Sequence, residues 1–377
     1  MKILHICIYF RNPMFMGLME AQEKQNIEKR VFYYETRKIG LRKFNLSYVD
    51  SFSSNLRLLP SPYLRFLRLR IVASGMLKLY EQSHNFDCIH AHTLVEDGYL
   101  ALQAKKAWGI PYIITVRDSD FHFKPFWRWK IYRKTIDEII ENAKSIVFLS
   151  GSAQNTFLKM LSEDILKKLP PVHIVPNGID NFWHENRWIR KTDFRTVHDQ
   201  WNVITVGKIF KRKNQVVTSE AIRQLRSEGY NIEYELVGRA EDKKMLREIN
   251  DMGFVQIKGF MNKTELLEEY RKNDIFLLAS TNESFGLVYA EAMSQGLPVI
   301  YTRGQGFDKQ FEDGVVGFPV ACDSVEDIKS AVLSVINNYN SLTGKCSELA
   351  AIFDWDRVAK KLTDVYLSAY QTEIKKE

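Results

Sequence analysis

Four cysteines in 377 residues are few, and Cys7, Cys88, Cys322 and Cys346 stand far apart. None falls into a CxxC pair or a Cys/His metal spacing. A disulfide frame and a zinc site are therefore not expected, and the thiols read as buried or incidental ones of a reducing, cytoplasmic compartment. No apolar run approaches the roughly 20 residues that cross a bilayer. The opening MKILHICIYF has one lysine and an apolar stretch, but it lacks a small-residue cleavage site and RNP follows at once. It reads as a first β-strand, not a signal peptide. After that strand the chain offers only Gly17, so the GxGxxG dinucleotide fingerprint is missing, and no GxxxxGK(S/T) phosphate loop occurs. Metal ligands in a cluster are also lacking. His90 and His92 in HAH have no acid or cysteine beside them, which favours a structural or substrate-contacting role over ligation.

Acids are missing from two stretches of the first half. Residues 55–80 hold Arg57, Arg65, Arg68, Arg70 and Lys78, and residues 121–136 interleave five Lys or Arg with six aromatics. Solvated faces over aromatic packing would account for either one. Two such segments together point to an anionic membrane surface, where basic and aromatic side chains sit well. No nucleic-acid motif accompanies them, so nucleic acid is not an expected partner.

The chain carries 45% hydrophobic and 26% charged residues, the composition of a globular protein, and its length favours two domains. Short β-rich apolar runs alternate with amphipathic helical patterns, from KILHICIY through PYIITVR and KSIVFLS to VHIVPNG. The alternation restarts after a polar linker, DNFWHENRWIRKTDFRTVHDQ, with NVITVGK, IEYELVG, VQIKGF and DIFLLAS. Such patterning predicts α/β architecture: two Rossmann-like domains of parallel strands facing each other across a cleft, with a final amphipathic helix.

Ligands of such domains lie outside the carboxyl ends of the strands. In the second domain those ends carry Gly207 and Lys208, Gly238 and Arg239, Gly259 and Phe260, and the run from Ser280 to Gly286, with Lys213 close behind Lys208. A helix starting near Gly286 would aim free N–H groups at this rim, and Gly286 has no side chain to block an anion. A diphosphate suits that seat, with Lys208 and Lys213 as countercharge. Glu283 and Glu291, separated by seven residues, would repel phosphates but can accept hydrogen bonds from hydroxyls on either side of a diphosphate. A nucleoside diphosphate sugar has hydroxyls at both ends.

The stretch ESFGLVYAEAMSQGLPVI closely resembles the Glu-x7-Glu signature of the family 4 retaining glycosyltransferases of GT-B fold. VPNGID resembles that family's domain junction, VGKIFKRKN its phosphate-binding turn, and FDWDRVAKKLTDVY its returning C-terminal helix. The resemblance spans the chain and is stronger in the second half. It implies a first, acceptor-binding domain at 1–178 rejoined by a helix at about 358–377, and a nucleotide-sugar domain at 179–357. It further implies that Glu291 binds the donor ribose, that Glu283 meets the transferred sugar, and that Ser284, Phe285, Gly286 and Leu287 contact the donor, with backbone N–H groups there on the distal phosphate. Lys208 stands where the family usually has arginine, which keeps the charge but loses the bidentate fork. Arg117 stands where many members have histidine, and an arginine can act there only electrostatically. Gly17, His92 and Asp118 are assigned to acceptor or sugar positioning.

The implied activity is metal-independent, cofactor-free hexosyl transfer with retention, from a nucleoside diphosphate sugar to a lipid-linked glycan in polysaccharide or cell-envelope synthesis. The enzyme would sit peripherally on the inner face of the membrane. Transfer to a soluble small acceptor, nucleotide-sugar epimerisation on the same fold, and non-catalytic binding of a sugar nucleotide are the alternatives.

Overall fold

The computed structural model describes residues 1–35, 46–53, 62–117, 120, 126–190 and 195–374. The chain forms two compact units. One comprises Met1–Leu149, Ala153–Gly178 and Trp355–Glu377, and the other Ser150–Ser152 and Ile179–Asp354.

Among the described residues, the first unit holds a seven-stranded sheet in the order β3-β2-β1-β4-β5-β6-β7. Its strands are β1 (Lys2–Ile6), β2 (Glu28–Glu35), β3 (Val49–Ser53), β4 (Cys88–Ala91), β5 (Tyr112–Val116), β6 (Ser145–Phe148) and β7 (Val172–Ile174). All neighbours pair in parallel, with Leu4 opposite Arg30 on one side and Ile89 on the other. A parallel sheet needs helices on both faces, which is why its central strands are apolar throughout. On one face the helices Pro62–Leu79 and Glu96–Trp108 bury Leu69, Val72, Met76 and Leu100. On the other, Met14–Lys24 packs with the C-terminal helix Trp355–Ile374 through Phe15, Leu18, Val358, Leu362 and Tyr366.

That C-terminal helix starts at Trp355, ahead of the position 358 expected from the pattern. Trp355 is itself a core residue of the first unit and draws the helix start forward. Strands β2 and β3 had no counterpart in the apolar pattern. EKRVFYYE mixes charges into a strand whose Lys29 reaches Met19 O and Glu23, and VDSFS is short and polar.

The second unit holds a six-stranded parallel sheet in the order β10-β9-β8-β11-β12-β13 among its described residues. These are β8 (Trp201–Val206), β9 (Ile232–Val237), β10 (Val255–Lys258), β11 (Ile275–Leu278), β12 (Val299–Thr302) and β13 (Gly317–Val320). In each sheet the strand order reverses beside its first strand, at β1/β4 and at β8/β11. Such switch points open a crevice at the carboxyl ends of the strands. The polar stretch 180–200 is not a free tether over its described residues. Trp183 is 1% exposed, and Arg190 donates to Gln295 O at 3.1 Å and Tyr270 O at 2.8 Å, which lashes the segment to the second unit.

Candidate functional site

At the second unit's switch point, two loops follow β8 and β11. After β8 the chain passes Gly207 and Lys208 into the single 3₁₀ turn Lys211–Lys213 and then the helix Gln215–Ser227. After β11 it passes Ala279–Gly286 into the helix Leu287–Ser294. Gly286 caps that helix at φ 75°, a left-handed conformation that suits glycine, and a Cβ there would lie 2.4 Å from the Tyr289 ring. No side chain caps this helix, so its first N–H groups have no side-chain acceptor. Phe285 is buried and packs on Phe353, Leu287 and Ser284 are half-buried, and all three lie on this turn.

The two loops meet through charge. Lys213 Nζ lies 2.5 Å from Glu283 Oε2, with the two side chains only 12% and 9% exposed. Ser280 Oγ donates to the same carboxylate oxygen at 3.4 Å. Lys213 also lies over Gly207, whose added Cβ would be 3.4 Å from its Cε. Lys208 turns elsewhere. Its ammonium pairs with Glu241 at 2.6 Å, and both side chains are largely exposed. So of the two lysines expected to share one rim, one is held in the loop junction and the other is on the surface.

Glu291 stands apart from Glu283. Burial pushes its carboxyl up to about 7, against a lesser opposing pull from Lys263 and a hydrogen bond from the Trp183 side chain. Asp180, which is ion-paired with Lys263, raises it further. Trp183 was not singled out in the sequence, where a tryptophan in a polar linker reads as surface.

Beside the β8 loop lies a cavity of about 390 Å³, lined by Val206, Gly207, Val237, Gly238, Met261 and Leu266, with Lys208, Arg239 and Phe260 also on its wall. Gly238 has φ 148°, and a Cβ there would come 2.1 Å from Gly207 O, so glycine is what lets the two strand ends close up. Phe260 is 67% exposed, and the Arg239 guanidinium stacks over its ring at 5.1 Å. A Cβ on Gly259 would meet only open space, so no close approach demands glycine there.

In the first unit, Arg117 follows β5. Its Nε donates to His92 O at 3.0 Å and its guanidinium lies over the Phe15 ring at 5.0 Å. Burial lowers its pKa from the ordinary arginine value. The His92 ring is 1% exposed and belongs to a stack with His5 and His90. His5 Nδ1 and His92 Nε2 are hydrogen-bonded at 3.0 Å, while His90 is held by Tyr366 Oη and Thr115 Oγ1, each at 2.7 Å. Burial drives the pKa of all three imidazoles down, so they are neutral. Both ring nitrogens of His90 are thus engaged by hydroxyls, which marks the cluster as a core hydrogen-bond network. Gly17 sits in the helix Met14–Lys24, and a Cβ there would be 2.4 Å from Trp355 Nε1. The missing side chain makes room for that indole. Asp118 lies outside the described residues.

Sequence reading passed over Asp97. It is fully buried, its Oδ1 accepts from Tyr34 Oη at 3.0 Å and from Ile8 N at 3.2 Å, and burial pushes its carboxyl up to about 8. It therefore anchors the loop that follows β1. An acid in the first turn of a helix gives no sign of this from its neighbours in sequence.

Comparison with known proteins adds the following. The family described as "Glycosyl transferases group 1" matches residues 186–351, and the one described as "Glycosyltransferase Family 4" matches residues 15–181. The alpha-monoglucosyldiacylglycerol synthase of Acholeplasma laidlawii is 25% identical over 247 residues, which is 61% of this chain and 62% of that protein's length. The sucrose-phosphate synthase of Thermosynechococcus elongatus is similar in structure, with a TM-score of 0.72 at 18% identity over 98% of this chain and 99% of that one. Anabaena HepE in complex with UDP-glucose has a TM-score of 0.65 at 17% identity, over 97% of this chain and 99% of that one.

Proposed function

The chain belongs to the group 1, family 4 glycosyltransferases of GT-B fold, and from there we propose that it transfers a hexose, with retention and without a metal, from a uridine diphosphate sugar to a lipid-linked acceptor. The observation that carries this reading is the buried Lys213–Glu283 pair beside the uncapped helix at Gly286. It sets a cation, a hydroxyl acceptor and a phosphate seat within one loop junction.

In the proposed reaction the acceptor hydroxyl oxygen bonds to the anomeric carbon as the bond from that carbon to the diphosphate oxygen breaks. Negative charge grows on the leaving diphosphate, which takes the acceptor's proton on the same face. Lys213 and the N–H groups after Gly286 stabilise that charge, and such fixed donors act most strongly where charge develops. Glu283 accepts from a sugar hydroxyl, Glu291 from the ribose, and the apolar cavity under Phe260 takes the base. Uridine is favoured because HepE, similar in fold, was solved in complex with UDP-glucose.

A lipid acceptor is supported by the relative named for making a glucosyl lipid and by the helix Pro62–Leu79. That helix buries Leu69 and Val72 but exposes Leu67 by 47% and Ile71 by 36%, beside exposed Arg70 and Lys78. The side chains of Arg65, Phe126, Trp127 and Trp129 lie outside the described residues. No helix among the described residues is long and apolar enough to span a membrane.

The test has two stages. A thermal-shift screen with UDP, GDP and ADP identifies the base, since a ligand at 100 times its Kd adds about 2.7 kcal/mol. Radiolabelled UDP-sugars are then incubated with lipid extracts in EDTA. An α-linked lipid product from an α-configured donor is expected. Binding without transfer or hydrolysis under any acceptor would leave the chain a binding module instead.

A further inference from the structure

The loop that carries Glu283 is held from two sides. On one side, Arg212 of the 3₁₀ turn accepts from Thr281 N through its carbonyl at 2.9 Å and donates to Asn282 O from its guanidinium at 2.6 Å. The turn therefore delivers Lys213 to the carboxylate and Arg212 to the backbone at once. On the other side stands the loop after β12. Gln305 Oε1 accepts from Glu283 N at 2.8 Å, and its Nε2 donates to Thr281 O at 3.4 Å. These two contacts agree on the orientation of the amide, because only the oxygen can meet an N–H and only the nitrogen a carbonyl. The next residue completes the bracket: Gly306 N donates to Glu283 O at 2.9 Å. A Cβ on Gly306 would come 2.1 Å from Ser284 O, so the close approach depends on glycine at that place.

Both backbone groups of Glu283 are thus fixed by residues 305 and 306, far away in sequence. We infer that Gln305 is a positioning residue for Glu283, setting through the backbone of residues 281–284 where the Glu283 carboxylate meets the transferred sugar. The inference rests on the transferase reading above and deepens it. It also separates two halves of the donor, because Gln305 bears on the loop of Glu283 and not on the surroundings of Glu291.

The test compares Gln305→Leu, which keeps the size but removes the acceptor, with Gln305→Glu, which keeps an acceptor for Glu283 N. Gln305→Leu should lower kcat/KM for the UDP-sugar by about 10- to 100-fold, the scale of a misplacement near 1 Å. The Kd for UDP alone should stay within about threefold, and Gln305→Glu should recover most of the activity. Hydrogen exchange of the Glu283 amide should quicken about tenfold in Gln305→Leu and not in Gln305→Glu. Wild-type turnover in Gln305→Leu, or an equal loss of UDP binding, overturns the positioning role. If the wild type turns over no sugar nucleotide, the transferase reading fails, and the exchange measurement still decides the clamp: an unchanged Glu283 amide overturns it.

Discussion

Replacing Glu283 by glutamine should do two opposite things: tighten the binding of bare UDP and slow sugar transfer. The Lys213 ammonium has a carboxylate partner 2.5 Å away, and both groups are nearly buried. A diphosphate that reaches Lys213 at hydrogen-bond distance sits about 5 Å from the Glu283 carboxylate if the carboxylate stays in place. At an effective dielectric of about 20, two unit charges at that distance repel by on the order of 3 kcal/mol. Glutamine removes that repulsion and keeps the shape. Water and loop relaxation will take up part of it, so a tenfold gain in UDP affinity, about 1.4 kcal/mol, is the expected floor. The same change leaves a buried lysine without its counter-ion, which costs up to about 3–5 kcal/mol of stability in the free protein. Saturating UDP should restore much of that loss by mass action. Calorimetry gives the affinity, thermal melts with and without UDP give the stability, and transfer rates give the third quantity. Weaker or unchanged UDP binding in Glu283→Gln would refute the idea that the carboxylate and the diphosphate compete for Lys213.

Glu291 carries a folded-state value near 7, above the ordinary 4.5, so its acceptor form is lost as pH falls through 7. UDP affinity should decline below pH 7 in the wild type, and Glu291→Gln should bind weakly with that component of the pH dependence gone. Asp97, raised from 3.8 to about 8, holds its proton more tightly in the folded than in the unfolded chain. Stability from this group is therefore full below about pH 4 and is lost as pH rises to 8, over a span worth on the order of 5 kcal/mol. Asp97→Asn should flatten that decline, so melts from pH 5 to 9 should show the variant gaining on the wild type as pH rises. On the helix Pro62–Leu79, changing Arg70 and Lys78 to glutamate should release the protein from vesicles containing anionic lipid. Each basic residue contributes about 1 kcal/mol there, less in high salt. Co-sedimentation that ignores lipid charge would rule out docking through this helix.

Some of this was legible in the chain itself, because it depends on neighbours in sequence. Apolar runs between amphipathic stretches predict parallel strands with helices on both sides, since a strand buried on both faces must be apolar along its length. A glycine between a buried strand and a helix marks a carboxyl-end loop, and so the sequence alone places VGKIFKRKN and NESFGLVYAE on one rim. Strands with charges such as EKRVFYYE escaped that logic, because the Lys29 ammonium finds Met19 O, Glu23 and the Tyr48 ring only in the fold.

Side-chain partners were decided by tertiary packing. Lys208 and Lys213 look alike as rim lysines, yet one reaches a surface Glu241 and the other a buried Glu283 across 70 positions of sequence separation. Gln305 looks like any polar loop residue until the β12 loop lies against Glu283. Gly17 resembled a ligand-facing glycine, and the fold gives it to the Trp355 indole instead. His92, read as touching substrate or structure, is closed into a neutral stack with His5 and His90. Periodicity reports which face of an element turns inward, but the identity of the atom waiting there is set by chain segments far away, and only their packing supplies it.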